Sequence, residues 1–295
     1  MTATTATRRA AAPAPARVRR QRRTALVPTA VLLLGIVYAL LPVAWVVIAS
    51  TKDNTELFNL FAFKPGGAFF SNVNTLISYR GGIFWTWMYN TAIYAGGGAI
   101  LSAALSALTG YTFAKYRFRG KDTLFNLILI GVLVPAVVLA VPQYLLVAKL
   151  GLADTYWSVL VPSIVSPYGI YLARIYAGAS VPDEVVEAAR MDGSGELGTF
   201  LRVGVPMMAP GLVTIFLFQF VAIWNNFLLP WMMLGSDTKF PLTVGLYTLL
   251  TQGTSQPALY TVVITGALLS ILPLIILFFL LQRFWRVDLS AGSVK

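Results

Sequence analysis

The sequence predicts an all-α integral membrane protein with six transmembrane helices. Of its 295 residues, 57% are hydrophobic and only 11% are charged, with a mean hydropathy of +0.74. Soluble domains carry about 25% charged residues. A chain this apolar has too few polar side chains to cover itself, so lipid must form part of its solvent. Six stretches lack any Asp, Glu, Lys or Arg over roughly the 20 residues that a helix needs to cross a hydrocarbon core. None alternates with the two-residue period of a membrane β-barrel, and all are longer than barrel strands.

The first span is Ala25–Ala49. Arginines precede it as they would a secretory leader, but its length exceeds the roughly 7–15 residues of a leader's apolar region. No convincing cleavage site follows it, so a retained helix is expected. Residues 1–24, "MTATTATRRAAAPAPARVRRQRRT", are Ala/Pro-rich and basic, and read as a disordered tail beside anionic headgroups, not as a nucleic-acid arm. The remaining spans are Thr86–Phe113, Thr123–Val147, Tyr156–Ala173, Met207–Leu234 and Leu259–Gln282. The membrane domain therefore covers 25–284, and 285–295 form a C-terminal tail. Pro42, Pro135, Pro142, Pro162, Pro167 and Pro273 fall within spans or near their ends, where partner helices or water re-satisfy the freed carbonyls.

Basic residues orient the chain. With the N-terminus cytoplasmic, seventeen of the 22 Lys and Arg lie inside and only Lys52, Lys64, Arg80, Lys149 and Lys239 outside. The positive-inside rule then places both termini in the cytoplasm. The segment between spans four and five falls on the same side.

The composition excludes much chemistry. There is no histidine and no cysteine, so thiolate or imidazole metal sites and most nucleophilic triads lose their parts. No catalytic residue and no metal site is expected. Ion-coupled transporters commonly place ionisable groups at mid-membrane; the spans here hold none, which weakens a secondary transporter without excluding carbonyl-built Na⁺ sites. Residues 193–198, "GSGELG", fit G-x-G-x-x-G, but that fingerprint acts only where a strand turns into a helix. No G-x-x-x-x-G-K-[ST] phosphate loop occurs.

Against this background, residues 182–206, "PDEVVEAARMDGSGELGTFLRVGVP", gather five of the eleven acidic residues. Ser180 or Asp183 is placed to cap a helix, Pro182 suits its first turn, and Asp183 and Glu184 favour its N-terminal dipole. Gly193 is a natural stop, and a second short helix is expected from Gly195 to Val203. Adjacent Ala188 and Ala189 would let another protein approach the backbone closely. A solvated amphipathic loop at the membrane surface accounts for the same residues.

The stretch "EAARMDGSGELGTFLRVGVP" resembles the E-A-A-x₃-G-x₉-I-x-L-P signature of binding-protein-dependent ABC transporter permeases. Glu187, Ala188, Ala189, Gly193 and Pro206 match it, and Val203 and Val205 stand where the family has Ile and Leu. Six spans with both ends inside and the terminal "QRFWRVDLSAGSVK" are similar to the carbohydrate-uptake, maltose-permease-like subgroup. The resemblance implies a type I ABC importer permease fold. It also implies that the loop at 180–206 is a coupling helix docking in a separate ATPase, through Glu184, Glu187, Ala188, Ala189, Asp192, Gly193, Val203, Val205 and Pro206. Ala291 to Lys295 correspond to a tail that reaches the ATPase pair in the family.

The resemblance further implies a second permease subunit, an ATPase dimer that binds ATP and Mg, and an extracytoplasmic solute-binding protein. A sugar needs amides, hydroxyls and flat aromatic faces, and the fifth span offers Gln219, Trp224, Asn225 and Asn226 as a substrate pathway. Interhelical hydrogen bonding and an interfacial belt explain the same residue types, Trp231 included. The reading is a non-enzymatic permease subunit of an ATP-driven sugar importer in the cell membrane. Permeases for peptides, amino acids or phosphate esters share the motif, and a secondary transporter or an intramembrane enzyme remain the rivals from other classes.

Overall fold

The computed structural model describes residues 26–291, with side chains from 27 to 284. The expected N-terminal tail at 1–24 and the last four residues lie outside the described residues. The described chain is helical throughout its regular structure, with four helices long and apolar enough to span a membrane and two bent pairs that bring the number to six if each pair is one span. The long helices are α1 (Leu26–Ala49), α4 (Ile83–Lys115), α10 (Glu196–Trp224) and α13 (Leu259–Ala291). The bent pairs are α5 (Lys121–Leu133) with α6 (Ala136–Lys149), and α7 (Tyr156–Ile164) with α8 (Pro167–Ser180). Short helices α2 (Asn54–Asn59) and α3 (Phe69–Ser78) follow α1, and α9 (Asp183–Met191) joins α8 to α10. Helices α11 (Leu228–Met233) and α12 (Leu242–Gln252) precede α13.

Four expectations change. The third span is a pair bent by 104°, not one continuous helix. Pro135 has no N–H to continue the helix and forces Val134 out of the helical region (φ −77°, ψ 119°). The fourth span bends by 41° at Val165 and Ser166, where the Ser166 hydroxyl caps α8 by accepting from the Gly169 N–H at 3.0 Å, with Pro167 in the first turn. The fifth span ends at Trp224, ten residues short of its expected Leu234 limit, and breaks before α11. The sixth runs past Gln282 and stays helical to Ala291, into the segment expected as a tail.

The core is a three-helix seam of α4, α8 and α10, closed by small residues. Gly110 of α4 lies so near α8 that a Cβ there would stand 2.5 Å from the Ala173 Cβ and 2.6 Å from the Arg174 nitrogen. One turn away Gly169 meets the Ser106 hydroxyl in the same manner. The ring of Tyr176 lies on Gly211 and that of Tyr111 on Gly204, bringing α10 against both partners. In lipid, where apolar burial gives little drive, such contact is what holds helices together. The Arg174 guanidinium lies 3.9 Å above the Phe125 ring and fixes α5 to α8.

At the far end of α4 a strap, residues 234–242, is pinned by hydrogen bonds. Trp87 Nε1 donates to the Asp237 carbonyl (2.9 Å), Asn90 Nδ2 to those of Thr238 and Phe240 (2.8 and 3.0 Å), and the Tyr94 hydroxyl to Lys239 (3.0 Å). Lys239 also pairs with Asp154 at 2.8 Å, whose carboxyl accepts from the Gly235 and Ser236 N–H groups. Burial would raise that carboxyl, yet Lys239, Ser236 and Gly235 together hold it well below the usual carboxylate range.

Gly110→Ala is expected to destabilise the chain by about 1–3 kcal/mol through overpacking. Gly178→Ala, on an open face of the same seam's α8 with nothing within 4 Å, is neutral or slightly stabilising. Thermal melts in detergent distinguish the two; equal melting of both variants removes the seam from its central place.

Candidate functional site

The acidic segment forms a turn of structure held down at both ends. Pro182 occupies the position expected for a capping side chain, and neither Ser180 nor Asp183 caps α9. Asp183 instead pairs with Lys115 Nζ at 2.7 Å, at the last turn of α4. At the other end Arg190 pairs with Glu196 at 3.0 Å, the Tyr116 hydroxyl donates to the same carboxylate, and the Arg190 guanidinium lies 5.6 Å from the Tyr116 ring. Between these anchors Val186 inserts into a cluster with Tyr111, Ala177, Val181, Phe200 and Met208. One face of α9 is thus fixed to the membrane domain.

The opposite face is open among the described residues. Glu184, Glu187 and Ala188 are exposed, Ala189 is half-buried, and Met191 is 84% exposed. Glu184, Glu187 and Asp192 make no ion pair among the described residues. Gly193 closes the helix at φ +82°, a left-handed conformation that disfavours any side chain, as the sequence indicated. The short helix expected from Gly195 to Val203 forms, but not as a separate element. Glu196 begins α10, which continues through a π-helical turn at Phe200–Gly204 into the fifth span. The wider turn lets the helix pass Pro206, which lacks an N–H. Val203, Val205 and Pro206 therefore lie in a helix, with Val203 half-buried, Val205 packed on the inner cluster and Pro206 exposed.

The four pathway residues separate. Gln219 and Asn226 line a cavity of about 230 Å³ at the two bends, together with Gln143 and Ser163. Gln219 Nε2 donates to the Ser166 hydroxyl at 2.5 Å, tying α10 to the bend between α7 and α8. Asn225 is exposed outside that cavity, its amide donating to the Val221 carbonyl. Trp224 is only 4% exposed and stacks on Phe220 at 5.4 Å, so it offers no face to a sugar. Gln143 was missed; as the amide of an otherwise apolar half-span it carried the same signal as Gln219.

Lys115 holds the Asp183 carboxyl below its ordinary 3.8, and burial together with the Glu196 carboxylate pushes the Tyr116 phenol up to about 12. A carboxylate with a lowered pKa contributes stability above its ordinary value and loses it only as pH falls through the folded one. Tyr116 keeps its proton through neutral pH. Amide exchange across Asp183–Met191 is therefore expected to show no pH-dependent loosening between about pH 5 and 8 beyond the intrinsic rate, and to loosen below about pH 4. Lys115→Ala should loosen it at neutral pH, with Asp183→Ala adding nothing further. Additive effects of the two substitutions would dissolve the pair.

A family model described as the inner membrane component of binding-protein-dependent transport systems matches residues 102–286. The arabinooligosaccharide transport system permease protein AraQ of Halalkalibacterium halodurans is 34% identical over 87% of this chain and 91% of its own length. The lactose transport system permease protein LacG of Rhizobium radiobacter is 29% identical over 94% of this chain and 98% of its own. Among solved structures, a bacterial ABC transporter involved in import of the acidic polysaccharide alginate has a chain that superposes with a TM-score of 0.77 at 25% identity, over 92% of this chain and 99% of that one. The protein belongs to the binding-protein-dependent transport system inner membrane components, the permease subunits of ABC importers.

Proposed function

We propose that this permease carries a sugar or oligosaccharide into the cytoplasm as one of two permease subunits driven by a separate ATPase dimer. The observation that carries the reading is α9: one face is anchored by Val186, Asp183 and Arg190, while Glu184, Glu187, Ala188 and Met191 are left exposed. A helix so held transmits a push received on its outer face. The substrate class is supported by the relatives, whose names specify arabinooligosaccharides and lactose, and by the amides of Gln143, Gln219 and Asn226 around one cavity.

In this mechanism ATP and Mg sit in the partner ATPases, and an extracytoplasmic binding protein delivers the sugar. Closure of the ATPases displaces α9. The anchors pass that motion to α4 through Lys115 and to α10 through Glu196, and the bends at Pro135 and Ser166 open the cavity on the far side. Hydrolysis resets it. The basic residues flanking the spans support cytoplasmic termini. This chain breaks no bond; its residues position the solute and receive the ATPase's movement.

Glu187→Lys replaces attraction with repulsion at the docking face. A charge-assisted bond there is worth about 1.5–3 kcal/mol, so co-purification of the ATPase should fall at least tenfold while membrane insertion stays normal. Gly193→Val places a branched side chain at φ +82° and should leave hydrolysis poorly coupled to uptake. Transport by both variants at the wild-type rate would refute the docking role. A cysteine at Asn226, in a chain that has none, should react with a water-soluble thiol reagent in a nucleotide-dependent manner; labelling indifferent to nucleotide removes Asn226 from the pathway.

A further inference from the structure

We propose that Trp231 and Tyr247 form an aromatic platform against which a sugar ring lies as it enters the amide-lined cavity. The inference rests on the importer reading above and assigns the stacking surface that reading lacks. A sugar ring has a hydroxylated edge and an apolar C–H face. The cavity supplies amides and a hydroxyl from Gln143, Ser163, Gln219 and Asn226, but Trp224, the ring expected beside them, is enclosed in the core.

The rings that are available follow the cavity's lining residues in the chain. Leu228 lines the cavity beside Asn226, and Trp231 follows it by three residues on α11, on the same helical face. Phe227 stacks on Trp231 at 5.6 Å and 20°, fixing the plane of the indole. Tyr247 of α12 stands edge-on to Trp231 at 5.3 Å and to Phe227 at 4.8 Å. The Thr243 hydroxyl donates to the Asn226 carbonyl at 2.8 Å, which bolts α12 to the cavity's edge. The Leu242 N–H donates to the Thr91 hydroxyl at 2.7 Å, fixing the start of α12 to α4.

Although held on several sides, Trp231 is 44% and Tyr247 40% exposed. Large rings with few rotatable bonds, locked in orientation yet open on one side, bind at low entropic cost. Their position suits the task. Helix α10 spans 29 residues, so about 43 Å at 1.5 Å per residue separates the α9 loop from the break that leads to α11. The platform therefore lies at the end of the molecule opposite the docking loop, where an incoming sugar arrives.

The test uses the assembled complex in proteoliposomes, with the binding protein loaded with arabinotriose, lactose or maltotriose, whichever stimulates wild-type hydrolysis. Trp231→Ala and Tyr247→Ala should each lower the initial uptake rate at least tenfold in complexes that still assemble. Trp231→Phe should keep at least half the uptake. Wild-type uptake in Trp231→Ala, or equal losses in the Phe and Ala variants, would assign the ring to lipid or to subunit packing and overturn the platform. Should the alanine variants assemble poorly, Tyr247→Cys decides: an impermeant maleimide should label it, and sugar-loaded binding protein with vanadate should cut labelling at least fivefold relative to sugar-free conditions. No labelling, or labelling blind to sugar, overturns the proposal. Failure of the platform leaves wild-type hydrolysis responsive to the binding protein, whereas failure of the importer reading abolishes that response in the wild type and takes the platform with it.

Discussion

The close approach of α4 and α8 at Gly110 and Ala173 is the constraint from which the rest of the molecule follows. A Cβ on Gly110 would meet backbone as well as side chain, so the two axes are as near as the chain permits. Gly169 and Ser106 extend the same contact by one turn, and Ala177 continues the small-residue face of α8. Helices in lipid gain little from burying apolar surface against one another, and such seams rest on dispersion contacts that need short distances. Because α8 is fixed to α4, the direction in which the chain leaves α8 is fixed as well. The acidic segment inherits its placement from that exit.

The acidic residues of that segment divide between two tasks. Asp183 and Glu196, though exposed, turn towards the membrane domain and pair with Lys115 and Arg190, with Tyr116 completing the second pair. Glu184, Glu187 and Asp192 are exposed and make no ion pair among the described residues. Surface ion pairs add little stability singly, so the inward set matters for position more than for energy. It sets the orientation of α9, and Val186 supplies the apolar anchor between the pairs. A short helix with low intrinsic stability thereby becomes a rigid element.

Much of this was legible in the sequence. The apolar spans and the acidic segment follow from composition and spacing alone, and Gly193 announced its left-handed turn. The bends did not follow. Pro135 and Pro167 mark where a helix can break, but the angles of 104° and 41° depend on what α5 to α8 pack against. The continuity of α10 through Pro206 was hidden for the same reason, since a π-helical turn absorbs the lost hydrogen bond. Which side of the fifth span faces inward was also illegible. A helix apolar all round carries no periodicity to orient it, so Trp224 and Gln219, five residues apart, could not be assigned to opposite environments before their neighbours were known.

The two polar regions sit at opposite ends of the same helices, and this arrangement explains how little polarity the middle needs. Helix α4 carries Lys115 at the acidic segment and Asn90 and Trp87 at the strap; α10 begins at Glu196 and ends beside Asn226. Each helix is thus gripped by hydrogen bonds and ion pairs outside the apolar belt, and by glycine contacts within it. Displacement of α9 acts on the ends of levers whose other ends hold the cavity rim. The bends at Pro135 and Ser166 lie between, where backbone groups are already freed from helical pairing and a change of angle breaks few hydrogen bonds. Stiff ends, close-packed shafts and hinges confined to two proline-marked breaks are what a membrane protein needs in order to move without exposing unpaired backbone to lipid.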